Sequence, residues 1–186
     1  MVPLTSLWLP ILLSAVAVFL ASSVIHMMLG YHRSDYGKVP SEDEVMEALR
    51  KFSIPPGDYH MPRPSSPADL KSPEFREKVK RGPAVMMTIM KDDFAMGGKF
   101  VQWFIYILVV GIVSAFIAGH ARGPGASARS VFGIAGIVAF ASYGLALWQL
   151  SIWYERSWLT TLKSNIDAAI YALVTAGIFV WLWPKA

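Results

Sequence analysis

Cysteine is absent from the 186 residues. That excludes disulfides, thiolate metal sites and cysteine nucleophiles, and it leaves the redox compartment unreadable. Charge is scarce as well: Asp, Glu, Lys and Arg make up 16% of the chain, against about 25% in soluble domains. No Rossmann or Walker pattern occurs, and no repeat has a solenoid period. No serine or threonine stands in a strand–elbow–helix context, so no nucleophile–base pair can be assigned. The expectation is a protein without catalytic residues, cofactor or metal. The first six residues, Met1 to Ser6, contain no Lys or Arg, which argues against a cleaved secretory signal.

What the chain has in excess is apolar sequence. Hydrophobic residues reach 54% and the mean hydropathy is +0.43. About 20 apolar residues cross a bilayer core at roughly 1.5 Å each. Four runs are long enough: about 7–29, 100–118, 131–153 and 166–183. The fold class expected is therefore an all-α membrane protein of four transmembrane helices, forming one domain over 1–186. Pro10 lies in the first turns of the first run, where a missing N–H matters least.

The long polar stretch, 31–97, carries eleven Lys/Arg and eleven Asp/Glu. Ser41 and Glu44 have capping-box spacing, and Val45, Leu49 and Phe52 follow on one face of a short amphipathic helix. The proline-rich tract Pro55 to Pro73 is expected to be extended and irregular. Ser72-Pro73-Glu74 opens a second short helix with proline at its first position, and Gly82-Pro83 stops it. Ala84 to Met90 is apolar and too short to distinguish a strand from an interfacial segment. The cluster Met86, Met87 and Met90 reads as packing rather than a copper or partner site.

An even number of spans places both termini on one side. Arg33, Lys38, Lys91, Lys99, Arg156 and Lys163 flank the spans on the other. The positive-inside rule then predicts a cytoplasmic loop and both termini outside. Tryptophans are expected at the two interfaces: Trp8, Trp181 and Trp183 at one, Trp103, Trp148, Trp153 and Trp158 at the other. The connector Tyr154 to Asn165 has an apolar helical side that suits the membrane surface. The net charge of +4 does not point to nucleic acid, because basic residues alternate with acids beside the spans. Lipid is the simpler partner.

Helices in lipid associate through small residues and polar contacts. Gly111, Ala115 and Gly119 form one small-residue stripe, Ala135 and Ala139 a second, and Ala168, Ala172 and Ala176 a third. They predict a compact bundle, or contact with other membrane subunits or a second copy. His26, Gln102, Gln149 and Asp167 fall at a similar depth on the four spans, a possible polar layer for a proton, an ion or a headgroup. The competing explanation for Asp167 is a cap, three residues after Ser164. His26, His32, Asp35 and His60 offer metal-ligand types, but His26 and His32 are six apart and should not share a helical face. His120 stands alone at the opposite side.

Several segments together resemble a family of uncharacterised bacterial integral membrane proteins of this length. They are Leu9-Pro10-Ile11-Leu12-Leu13-Ser14, Ser22-Ser23-Val24-Ile25-His26-Met27, Tyr31-His32-Arg33-Ser34-Asp35-Tyr36, Pro40-Ser41-Glu42-Asp43-Glu44-Val45 and Pro56-Gly57-Asp58-Tyr59. The resemblance implies a bacterial inner-membrane location and transfers no functional residue. The role expected is a non-enzymatic accessory or scaffold subunit of a larger membrane assembly. The alternative is a small transporter or channel acting as an oligomer.

Overall fold

The computed structural model describes residues 1–91 and 96–186. Its elements are α1 (Trp8–Met27), α2 (Glu42–Arg50), β1 (Gly57–Met61), α3 (Pro73–Arg81), β2 (Val85–Ile89), α4 (Met96–Ala121), α5 (Ala128–Gly144), α6 (Trp148–Tyr154) and α7 (Trp158–Trp181). The chain divides into two units, Met1–Tyr36 with Ala95–Ala186, and Gly37–Phe94.

The first unit is a bundle of four membrane-length helices. A 3-10 turn, Leu4–Leu7, leads into α1, and another, Leu145–Leu147, joins α5 to α6 as one continuous span. The four spans are 24, 26, 27 and 24 residues long, about 36–40 Å at 1.5 Å per residue, enough to cross the hydrocarbon with its interfaces. The helices close a ring: α1 packs on α4 and α7, and α5 packs on the same two. Ala115, Ala135, Ala139 and Ala176 have no exposed surface, and Gly111, Gly119, Ala168 and Ala172 are buried too. A Cβ at Gly119 would lie 2.6 Å from the Val2 carbonyl oxygen. That same stretch accepts the Val2 N–H at 2.8 Å. Side chains outside the ring, such as Leu20, Ile105, Ile137 and Leu173, are exposed, as lipid-facing positions must be.

α7 starts eight residues before the run expected at 166. Lys163, Ser164 and Asn165 interrupt the apolar sequence without interrupting the helix. Ser164 Oγ donates to the Thr160 carbonyl at 3.0 Å and Asn165 Nδ2 to the Thr161 carbonyl at 2.9 Å. Most of the connector 154–165 is therefore the first two turns of α7. Trp103 and Trp183 are two of the tryptophans expected at the interfaces. Each turns inward to a hydrogen-bond acceptor, Trp103 to Ser22 Oγ at 2.9 Å and Trp183 to the Gly123 carbonyl at 3.0 Å.

In the second unit, β1 pairs antiparallel with β2, from Gly57 opposite Ile89 to Met61 opposite Val85. The proline-rich tract is therefore not irregular throughout, and Ala84 to Met90 is largely strand. Thr88 Oγ1 donates across the pair to Asp58 at 2.7 Å. Ser72 caps α3 by accepting the Phe75 N–H at 3.1 Å. Ser41 does not cap α2: its φ of 47° turns the side chain away from that bond. Met86 and Met90 are exposed, so the methionine cluster is not packed inside. The end of the polar stretch at 92–95 lies outside the described residues.

Close approach at Gly119 leads to a contrast. Gly119→Ala should destabilise the bundle by about 1–3 kcal/mol through overpacking. Gly133→Ala, whose Cβ would meet nothing within 4 Å, should be neutral or slightly stabilising from helix propensity. Thermal unfolding of the two variants in the same detergent measures the difference.

Candidate functional site

α1 ends at Met27, and Gly30, with φ 67°, reverses the chain into a 3-10 turn over Tyr31–Ser34. A left-handed residue is needed there, and glycine takes it without a Cβ clash. The reversal brings His32 back beside the last turn of α1. The rings of His26 and His32 lie 4.5 Å apart, centre to centre. Six residues on a straight helix would not do this, so the expectation that the two histidines diverge is corrected by the turn between them.

The third wall is α7. Lys163 and Asp167 are four residues apart, one turn on a single face. Asp167 is mid-helix rather than a cap, since α7 begins at Trp158. Its side chain is 5% exposed, and it accepts from Tyr31 Oη through Oδ1 and from His32 Nε2, 2.8 Å away, through Oδ2. The other nitrogen of His32, Nδ1, lies 2.6 Å from Asp35 Oδ2. Lys163 Nζ donates to Asp35 Oδ1 at 2.9 Å, to Ser34 Oγ at 2.8 Å and to the Tyr31 carbonyl at 2.7 Å.

The electrostatics follow from these contacts. His32 lies between two carboxylates, Asp35 at Nδ1 and Asp167 at Nε2, and Lys163 meets Asp35 from the other side. Burial pushes the Asp35 carboxyl upward, but hydrogen bonds from His32 and Lys163, with their charges, outweigh it and hold Asp35 below the ordinary carboxylate range. The exit segment of the first span is thus clamped to α7 by charge-assisted hydrogen bonds.

His26 stands at the edge of this group. Its side chain is 51% exposed, with Nε2 3.9 Å from Asp167 Oδ2 and 3.4 Å from the Tyr171 hydroxyl. It also lines a groove of about 590 Å³ with Ser22, Ser23, Lys99, Phe100 and Trp103. Of the expected polar layer, His26 and Asp167 come together. Gln102 and Gln149 are exposed on α4 and α6 and have no place in the cluster. His60 lies exposed on β1, and His120, exposed on α4, bonds the Phe116 carbonyl at 2.8 Å. Tyr31, Lys163 and Tyr171 were not indicated by the sequence reading. The signal for Lys163 was its spacing from Asp167, visible only if the helix starts before 160.

Removing one member of a buried charged pair leaves the other uncompensated. Asp35→Asn and Lys163→Met should each destabilise by about 3–5 kcal/mol, and the double variant should lose clearly less than the sum. Unfolding of the three proteins under one set of detergent conditions gives the coupling.

No family model matches this chain, and no curated protein or solved structure does; the site therefore stands on its own geometry, in a protein whose four long apolar helices make it a multi-pass membrane protein.

Proposed function

We propose that the chain is a non-enzymatic accessory or scaffold subunit of a larger assembly in a bacterial inner membrane. The observation that supports this is the surface of the unit Gly37–Phe94. Among its described residues only Pro62 and Phe75 are buried. Val45, Met46, Phe52, Val79 and Met86 are all exposed. A segment of this size without an interior is stabilised by what covers it. The exposed apolar residues of α2, Val45 and Met46, with Phe52 just past its end, suit a protein partner, and the balanced charges around them suit a polar rim. On the positive-inside reading this unit faces the cytoplasm, with both termini outside.

An oligomeric transporter or channel is the second reading. It is favoured by the ionisable cluster of His26, His32, Asp35, Lys163 and Asp167, since such groups near a span often mark ion pathways. Against it, the ring of helices closes on packed apolar side chains, with Val18, Ile107 and Phe179 fully or almost fully buried.

Purification in a mild detergent followed by native mass measurement separates the two. The scaffold reading expects stoichiometric partners that are lost in Phe52→Glu. A homo-oligomer without other chains favours transport, and a partner-free monomer overturns the scaffold role. Orientation has its own test, simple because the chain has no native cysteine. A membrane-impermeant maleimide on intact cells should label Ser127→Cys and spare Ala84→Cys until the membrane is opened.

A further inference from the structure

We infer that His26, His32 and Asp167 form a binding site for a divalent transition-metal ion, zinc being the best fit. Two imidazole nitrogens and one carboxylate oxygen from these residues all lie within 4.8 Å of one another. This is a donor set typical of zinc and other first-row ions. In a tetrahedral site with bonds near 2.0–2.1 Å, neighbouring ligand atoms are roughly 3.3 Å apart. Here His32 Nε2 is 2.8 Å from Asp167 Oδ2, and His26 Nε2 is 3.9 Å from the same oxygen. One distance is shorter and one longer than the tetrahedral edge. Small side-chain shifts bring both to it, without moving a helix.

The surroundings also suit an ion. His32 Nδ1 is already held by Asp35 Oδ2 at 2.6 Å, the carboxylate–histidine arrangement that fixes a ligand's tautomer and aims its other nitrogen at a metal. Lys163 occupies Asp35 Oδ1, which keeps that carboxylate in place and out of the coordination shell. Tyr31 binds Asp167 Oδ1, leaving Oδ2 to turn toward the two imidazoles. His26 Nε2 lies 3.9 Å from Asp167 Oδ2 and 3.4 Å from the Tyr171 hydroxyl, so this nitrogen is on the carboxylate side of the ring. The ion takes the place of the proton between His32 Nε2 and Asp167 Oδ2, and one proton leaves for each ion bound. Of the three ligands, His26 also lines the groove, which gives an ion access from that side.

This inference is independent of the assembly role proposed above. The test uses the full chain in detergent, purified without chelator through a tag lacking histidine. Zn²⁺ content is measured by elemental mass spectrometry, and affinity by competition with a chromogenic chelator. Co²⁺ substitution reports geometry through its visible absorption. The result expected is one Zn²⁺ per chain and an intense tetrahedral Co²⁺ band. His26→Ala should weaken binding at least about tenfold, as should loss of the supporting carboxylate in Asp35→Asn, within the roughly 10–100-fold usual for such partners. His60→Ala and His120→Ala should change nothing. His26 is the decisive position, because it is half-exposed and its contacts are long, so its removal leaves the fold intact; helicity and elution volume check this. Absence of Zn²⁺ binding by the wild-type chain, or binding that survives His26→Ala and falls with His60→Ala, overturns the site.

Discussion

A carboxylate at Asp167, two turns into a membrane helix and 5% exposed, needs donors close by. It finds them in a segment of another helix's exit, through His32 and Tyr31. Charge inside or beside the hydrocarbon is tolerated only when paired, and the pairing here is extended one step further by Asp35 and Lys163. Acidic and basic side chains alternate along the chain of contacts, Asp167, His32, Asp35 and Lys163 in turn. These contacts hold the exit of α1 against α7.

Packing supplies the frame on which this clamp sits. Small residues let the backbones approach, as at Gly119 against Val2 and at Gly144 against Ala168. Next to the cluster, Trp103, Tyr106, Tyr143 and Tyr171 meet at ring separations of 5.4–6.4 Å. Edge and offset contacts of this kind add to the burial of the rings. They also give Tyr171 a fixed position from which its hydroxyl reaches His26. One end of the bundle packs around Leu7, Phe179 and Trp183, and at the other these aromatic rings lead into the charged cluster.

The second unit follows a different logic. Its strands pair in register and its α3 is capped by Ser72, so its backbone is satisfied locally. Its side chains bury little, and that contrast between an ordered backbone and an outward apolar face is what supports a subunit role. The polar composition of the same stretch conceals this, because Val45, Phe52 and Met86 are few among many charged neighbours.

Membrane class, the number of spans and the small-residue positions at helix contacts were legible from residues alone, since each depends on local composition and a period near four. Gln102 and Gln149 were placed in a shared layer by depth, yet depth does not specify which way a side chain faces around the helix axis. The start of α7 was misjudged because Lys163 and Asn165 break the apolar run while leaving the backbone bonds unbroken. His26 and His32 looked unrelated because sequence distance on a helix is a poor guide once a left-handed glycine reverses the chain. The residue types determined that a histidine and a carboxylate would meet a membrane boundary. Only the tertiary structure, by folding Tyr31–Ser34 back onto α7, decided that they would meet each other.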